Sequence, residues 1–424
     1  MTHWSRPSGA SRGWHAHAPR RILERVTTAI AAQFEQDRAR EPLPATRPTL
    51  GALERLPGGL LLGLVALVYL ALAQYVISLN DPVQLGAGFW PAAGVSLALL
   101  LLLPTRRWPW VLAGIALGEF GGDLLRGYPL GATVLWTIGN VVEPLVGATL
   151  VRRFSSRGGD LAPARRLVGF LVLAVIAGPL VGATIGSLGS ILFVGSSPSQ
   201  VWPMYLVGDA LGVLVMAPLL LTWAIPSPRR SRTEFGALLG TSLLVAFVVF
   251  RNWSGSWDLT LPYLTAPLFT WAALRFGLRG TAIVAVLVAN IANWSTANGY
   301  GPFAIAGGTE HAVTLLQVFL LISLTSSFML ASVARDLSQT NEVRAQLASH
   351  NVALQAAIDE VRTSQLYIRK LEGILPICMG CKAVRSDDDQ RWEPLDLYLA
   401  RSASVSLSHG YCPPCAAAAL AAID

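Results

Sequence analysis

The sequence predicts an all-α polytopic membrane helical bundle of about ten spans, with about eight as the alternative, followed by a helical coiled coil and a small ribbon-like module. Hydrophobic residues make up 53% of the 424-residue chain, charged residues make up 13%, and the mean hydropathy is +0.51. This composition excludes an ordinary soluble domain. Apolar runs of membrane length recur throughout residues 58–334, whereas all four cysteines lie after residue 377.

Residues 1–57 form a polar arm that is rich in arginine. Within residues 19–41, apolar side chains recur at i, i+4 spacing among the arginines, which is typical of an amphipathic helix lying on the inner leaflet. A partly ordered lead-in to the first span is the alternative. Prolines at 42, 44 and 48 end any such helix before the membrane.

The membrane portion is predicted from segment length, because a bilayer core of about 30 Å requires about 20 apolar residues per helix. Ten stretches approach this length: 58–79, 86–103, 108–125, 130–150, 167–194, 201–225, 235–250, 259–274, 279–297 and 311–334. Several are short and contain Pro and Gly, which predicts kinks or partly re-entrant pieces. For that reason eight full spans are the alternative.

The arginines predict the orientation of the bundle. With a cytoplasmic arm, the inner loops contain Arg106, Arg107, Arg152, Arg153, Arg157, Arg165, Arg166, Arg229, Arg230, Arg232, Arg275 and Arg279, and the outer loops contain only Arg126 and Arg251. This asymmetry predicts a multi-pass protein of the inner membrane with both termini in the cytoplasm. The net charge of +7 therefore belongs to membrane orientation, and we expect no nucleic-acid partner.

Residues 335–374 are predicted to form a coiled-coil signalling helix. One heptad column contains Val333, Thr340, Leu347, Leu354, Val361, Ile368 and Leu375, and the next contains Leu337, Arg344, Asn351, Ile358, Gln365 and Glu372. The first column is largely apolar and the second is mixed, which indicates a marginal parallel homodimer whose register is set by buried polar residues. A solvent-exposed connecting helix is the alternative.

Acidic and amide side chains fall inside the predicted spans: Glu119, Asp123, Asn140, Glu143, Asp209, Asn290 and Asn293. A carboxylate near the bilayer centre costs about 2.5 to 3.5 kcal/mol on insertion scales, so such residues normally face the bundle interior. Glu119 and Asp123 share one helical face, as do Asn140 and Glu143. The pattern favours an interior site for a cation, a proton or a polar ligand, with structural hydrogen bonding between helices as the alternative.

Five blocks of this region, in order, resemble the MASE1 family of bacterial membrane-embedded sensory domains. They are Phe89–Phe120, Gly139–Phe154, Gly208–Trp223, Arg275–Phe303 and Leu315–Val333. The resemblance covers about residues 60–335 and implies an integral inner-membrane sensor domain, which in this family is usually joined to a cytoplasmic kinase or cyclic-di-GMP enzyme. It draws attention to Trp90, Pro91, Gly94, Asn140, Glu143, Pro144, Asp209, Gly212, Pro218, Gly301 and Pro302. From both arguments together, the candidate ligand-sensing residues are Trp90, Glu119, Asp123, Asn140, Glu143 and Asp209.

The C-terminal part of the sequence differs from the output domains that usually follow the membrane domain in that family. It contains no GGDEF-like or EAL-like segment and is too short for a kinase catalytic domain, so we expect no enzyme activity. His350 lies in the heptad helix, but no acidic residue follows it as in a phospho-acceptor helix. An exposed coiled-coil histidine is the favoured interpretation.

Residues 375–424 contain two Cys-x-x-Cys pairs, Cys378/Cys381 and Cys412/Cys415. Four thiolates are the number that a tetrahedral zinc site requires, and a segment this small needs such a site to fold, so the pattern predicts a zinc-ribbon-like module. His409 is a possible substitute or supporting ligand. Redox-active thiols and incidental cysteines are the alternatives. The blocks LPICMGCK and SHGYCPPC also resemble a short module that ends various bacterial sensor and receiver proteins, which implies a signalling context.

Together these patterns predict four regions: the arm (1–57), a transmembrane sensor domain (58–334), a signalling helix (335–374) and a zinc-binding module (375–424). The predicted function is a sensor that detects an unknown small ligand or membrane signal and engages a cytoplasmic signalling protein through its tail. A secondary transporter with intramembrane carboxylates and a thiol redox sensor are the competing hypotheses.

Overall fold

The structure is a computed structural model, and it describes residues 48–80, 89–154, 161–223, 231–251, 261–304, 309–372, 376–386, 391–402, 408 and 410–422. The amphipathic helix expected within residues 19–41 lies outside this set. The chain divides into two compact units, Met1–Ser338 and Gln339–Asp424.

The first unit consists of helices. They are α1 (Pro48–Arg55), α2 (Gly58–Asn80), α3 (Pro91–Leu102), α4 (Trp108–Leu125), α5 (Leu130–Phe154), α6 (Ala164–Phe170), α7 (Ala177–Gly189), α8 (Pro198–Trp223), α9 (Arg232–Arg251), α10 (Ala266–Trp271), α11 (Gly277–Ala297) and α12 (Thr309–Glu372). Short π-helical segments continue α6, α7 and α10: Leu171–Ile176, Ser190–Val194 and Ala272–Phe276. Each of the ten predicted stretches contains helix, which confirms the all-α membrane bundle.

Seven helices in the described part of the chain are long and apolar enough to cross a membrane. They are Gly58–Ser78, Leu130–Phe154, Ala164–Phe193, Pro198–Trp223, Arg232–Arg251, Leu261–Ala297 and Ala312–Ile368. α3 is apolar but has only 12 residues. The run Leu261–Ala297 bends at Gly277, whose φ of +64° favours glycine, so two of the predicted stretches lie in one helical run. The protein is a multi-pass membrane protein.

The packing of these helices brings distant parts of the sequence together. α2 packs against α4, α5 against α7, and α3 against α8, while α11 packs against both α8 and α9. Phe170, Phe250, Phe269 and Phe328 are completely buried in the core. Leucines on the outer surface of the bundle stay exposed, as a helix surface in contact with lipid requires.

The C-terminal end of α3 is held by an arginine from α5. The Arg152 side chain donates hydrogen bonds to the carbonyl oxygens of Leu100 (2.7 Å), Leu101 (3.1 Å) and Leu103 (2.6 Å). The last carbonyls of a helix have no partner within it, so this contact supplies one. The guanidinium also lies 4.9 Å from the ring centroid of Trp108.

α12 is a single helix of 64 residues, Thr309–Glu372, that begins in the first unit and runs into the second. Two hydrogen bonds tie it to the start of α6 and to the residues just before that helix. The Ser332 hydroxyl donates to the carbonyl of Ala162 (2.7 Å), and the N–H of Ala164 donates to the Asp336 carboxylate (3.0 Å). The helix predicted over residues 335–374 is present as far as Glu372, and its pairing into a coiled coil stays a prediction.

The second unit ends in a small ribbon. Strands β1 (Val384–Arg385) and β2 (Trp392–Glu393) pair antiparallel, followed by α13 (Leu395–Ser402) and α14 (Pro413–Ala421). Arg401 forms an ion pair with Glu393. Among the described residues of the ribbon, Val384 is the one fully buried apolar side chain, so the core alone provides little stability.

Candidate functional site

Four acidic side chains from three helices meet inside the bundle. Glu119 and Asp123 lie one turn apart on α4, Glu143 lies on α5, and Asp209 lies on α8. We call these four residues the carboxyl cluster. Glu119, Asp123 and Glu143 are only 6%, 7% and 2% exposed, and Asp209 is half-buried. Glu119 interacts electrostatically with both Asp123 and Asp209.

A chain of hydrogen bonds surrounds Glu119. The Asn140 side-chain amide donates to Glu119 Oε1 at 2.7 Å, and the Tyr69 side chain also hydrogen-bonds to Glu119. The Trp90 indole N–H in turn donates to the Tyr69 hydroxyl at 3.2 Å. Trp90 is positioned by α8, because its backbone N–H donates to the Gly208 carbonyl. Side chains from α2, α4 and α5 therefore share one network with Trp90.

The carboxyl groups of Glu143 and Asp209 lie close enough to interact directly. An ionised carboxylate only accepts hydrogen bonds, so a hydrogen bond between these two groups needs a proton on one of them. The second oxygen of Glu143, Oε1, is buried without a hydrogen-bond partner.

Local sequence features place Glu143 against its neighbour helix. Gly182 on α7 lies so close that a Cβ there would be 2.7 Å from Glu143 Oε2. The next residue, Pro144, lies inside α5 and has no N–H to donate to the carbonyl of Asn140. The small residue and the proline together bring the carboxyl into the helix interface.

A second polar chain approaches the cluster through the π-helical segment after α7. The Trp136 indole N–H donates to the Ser190 hydroxyl at 3.0 Å, and Ser190 Oγ lies 2.8 Å from the Tyr205 hydroxyl. Tyr205 precedes Asp209 by one helical turn and interacts electrostatically with it. This places the π-helical segment beside the cluster.

Arg126 is the cation that the structure places beside the cluster. It follows the end of α4, interacts electrostatically with Asp123, and donates a hydrogen bond to the Gln74 side chain. Asp123 Oδ2 is buried without a hydrogen-bond partner. Four acids beside one arginine leave the site with an excess of acidic groups.

The six residues singled out from the sequence all belong to this network: Trp90, Glu119, Asp123, Asn140, Glu143 and Asp209. Sequence reasoning missed Tyr69, Tyr205 and Gly182. The spacing of Tyr205 and Asp209 on one face was a signal that could have found Tyr205. Gln317 on α12 was also missed, and it is completely buried with both amide atoms unpartnered.

The cysteine pairs are built differently, by short turns of the backbone. The backbone N–H of Cys378 donates to the Ala383 carbonyl (2.8 Å), and the Cys378 carbonyl accepts a hydrogen bond from the Lys382 N–H (3.0 Å). Lys382 has a φ of 61°. Cys412 occupies the N-terminal cap of α14, and Cys415 lies in the first turn of that helix. All four thiols are free.

Backbone N–H groups point at the first sulfur of each pair. Those of Cys381 and Gly380 lower the pKa of the Cys378 thiol, and that of Cys415 lowers the pKa of the Cys412 thiol. Thiolates are both the metal ligands and the nucleophiles of cysteine chemistry. This environment therefore favours the thiolate form, which both zinc binding and thiol exchange require.

The local backbone of each cysteine pair suits two zinc ligands, but the four cysteines are not arranged around one common point. Each pair has the turn and the N–H groups that a zinc ligand pair uses. In the part of the chain that the structure describes, however, no three His, Cys, Asp or Glu side chains are arranged to hold a metal ion. His409 lies outside the described residues.

Comparison with known proteins supports the membrane domain. The chain is 27% identical over 223 residues to "Probable diguanylate cyclase DgcE" of Escherichia coli (strain K12), which covers 50% of this chain and 19% of that protein. The chain thus spans about a fifth of its relative's length. No solved structure matches. Residues 58–338 match the MASE1 family and form a membrane sensory domain. Because this match covers well over half of the sequence, the chain belongs to the MASE1 family.

Proposed function

We propose that this protein is a sensor of the bacterial inner membrane with both termini in the cytoplasm. In this proposal the carboxyl cluster is the sensing site, α12 carries its state out of the membrane, and the ribbon is a non-catalytic output that binds a cytoplasmic signalling protein. The observation that carries the proposal is the continuity of α12, which joins the sensory domain and the signalling segment in one helix. A helix can transmit rotation or register change when two packings are close in energy.

The exposed face of α12 supports a homodimer. Every described side chain from Leu337 to Ile368 is exposed in the single chain, including Leu347 (54%) and Leu354 (58%) at heptad positions. Leucines at seven-residue spacing on a long water-exposed helix are buried when a second copy packs in parallel. Asn351 would face its counterpart in such a dimer and fix the register.

The ribbon supports a metal-dependent output module. Its small core and preformed cysteine turns favour one zinc ion per chain, held by Cys378, Cys381, Cys412 and Cys415 once the two pairs come together. The metal would supply the folding energy that the core lacks. The relative named as a probable diguanylate cyclase supports a signalling role, and in this proposal the ribbon serves as the output module.

Photo-crosslinking tests the coupling between the cluster and the signalling helix. A benzophenone amino acid replaces Leu354, at the heptad seam, or Ala356, on the outward face, in the full chain reconstituted in lipid. We expect chain-to-chain crosslinks at 354 and few at 356. Glu119→Gln, which replaces an acidic group of the cluster with a neutral amide, should change the yield at 354. Glu342→Gln on the exposed helix should not. Equal yields at 354 in the unmodified chain and in Glu119→Gln would contradict the proposed coupling.

A further inference from the structure

The closeness of Glu143 and Asp209 bears on what the cluster binds. Their side chains come from α5 and α8, which are separate helices, and the two carboxyl groups approach each other within the bundle interior. Two ionised carboxylates in such a position repel each other and have no hydrogen to share. A proton held by the pair removes the repulsion and allows a hydrogen bond between the two groups.

A second observation points to the same ligand. Glu143 is 2% exposed, and its Oε1 has no hydrogen-bond partner. An ionised oxygen buried without a donor is strongly disfavoured, whereas a protonated carboxyl tolerates that position. Gly182 closes the space beside the other oxygen, since a Cβ there would lie 2.7 Å away. The site is thus shaped for a neutral carboxyl group.

The cluster extends from one end of the bundle towards its middle. Asp123 lies in the last turn of α4, and Arg126 follows it at that end. Glu143 lies 13 residues into α5, which starts at the same end, and this places it about 20 Å from that end along the helix axis at 1.5 Å per residue. Glu119 lies one turn before Asp123, between the two levels. Side chains that can bind and release a proton, Asp123 and then Glu119, therefore lie between the end of the bundle and the buried pair.

We infer that the ligand sensed by this domain is the proton, bound between Glu143 and Asp209 and reached from the bundle end through Asp123 and Glu119. This inference rests on the proposed sensor function and names its ligand. Binding adds one proton from water to the ionised pair and forms the hydrogen bond between α5 and α8. Release returns that proton to water, leaves two negative carboxylates, and separates the two helices by repulsion.

The groups that face the pair are mostly acidic or phenolic. α2 contributes Tyr69, α4 contributes Glu119 and Asp123 with Arg126 beyond its end, and α8 contributes Tyr205. The sequences of α3 and α7, which also pack against α5, contain no titratable residue. α6 packs against α5 as well and contains Arg165 and Arg166, and α11 packs against α8 and contains Arg279, which donates to the Thr222 carbonyl. The electrostatic partners described for Glu143 and Asp209 are acidic or phenolic groups, and Arg126 acts on the entrance acid Asp123.

Infrared difference spectroscopy on the full chain in lipid nanodiscs tests the inference, because a protonated carboxyl has its own carbonyl band. We expect a band from a buried protonated carboxyl that disappears as the pH rises, and loss of that band in Glu143→Gln. The matched control Glu342→Gln, on the exposed part of α12, should retain it. Asp209→Asn provides a second variant if the first does not fold. A spectrum of the unmodified chain without a pH-dependent buried carboxyl band would overturn the inference.

The crosslinking experiment separates this inference from the proposed function. If Glu119→Gln changes the yield at position 354 but no buried carboxyl titrates, the sensor proposal stands and the proton is excluded as its ligand. If the band titrates but neither pH nor any cluster variant changes the crosslinking, the proton site stands and the sensor proposal fails.

Discussion

The carboxyl cluster and the cysteine pairs both place side chains with removable protons close together, but they achieve this in opposite ways. Glu119, Glu143 and Asp209 are far apart in sequence and are gathered by helix packing. Each cysteine pair spans only four residues and is formed by one local turn. The membrane site is thus organised by the packing of the helices, whereas the described residues of the ribbon contain no group of three side chains arranged to hold a metal ion.

Among the predictions that test this difference between the two sites, loss of metal from the ribbon should have the largest effect. Replacing Cys378 and Cys412 together with Ser should abolish binding of about one zinc per chain, because each pair loses a ligand. Structural zinc contributes about 10 to 16 kcal/mol of apparent folding energy in zinc-finger peptides, so the ribbon should become sensitive to protease while the bundle does not. Elemental analysis and limited proteolysis of the full chain measure both effects. A zinc-free native chain with a protease-resistant ribbon would refute the metal proposal.

The heptad seam of α12 should show the next largest effect. Leu354→Ala should weaken dimerisation by about 2 to 5 kcal/mol if the side chain is buried against a second copy. The control is Val352→Ala, which is 71% exposed and lies outside both heptad columns. Light scattering of the lipid-reconstituted chain over a dilution series distinguishes the two. Equal dimer stability in both variants would favour the exposed connecting helix.

A smaller effect is expected at the glycine beside the cluster. Gly182→Ala should destabilise the bundle by about 1 to 3 kcal/mol, because its Cβ would collide with the Glu143 side chain. Gly186→Ala, one turn later on α7, provides the control, since a Cβ there would meet Tyr205 at an ordinary 3.5 Å. Thermal unfolding followed by circular dichroism compares them. If both variants unfold alike, Glu143 is not held in the interface as described.

The smallest effect concerns thiol reactivity in the metal-free chain. The lowered pKa of Cys412 means that its thiolate forms at lower pH in the folded ribbon than in the denatured chain. The associated stabilisation is present above the unfolded pKa and is lost as the pH falls through the folded value. Alkylation rates measured against pH, with mass spectrometry to separate the cysteines, should show this displacement. Identical profiles in folded and denatured chains would contradict it.

Local patterns in the sequence predicted much of this molecule. Hydrophobic run length located the helices, and heptad spacing located the long helix after the last span. The number of membrane spans could not be predicted from run length. α3 is only 12 residues long, and the break at Gly277 lies within one apolar run. Intramembrane charge identified the acids, but their pairing across α5 and α8 depends on packing that no local pattern encodes.

The hydrogen bonds of Ser332 and Asp336 act together as a clamp on α12 at the end of the sensory domain. They hold the helix at two points one turn apart, so α12 cannot rotate about its own axis there without breaking both contacts or moving the start of α6 with it. A rotation of α12 would therefore be shared with α6, whose packing against α5 connects it to the helix that carries Glu143.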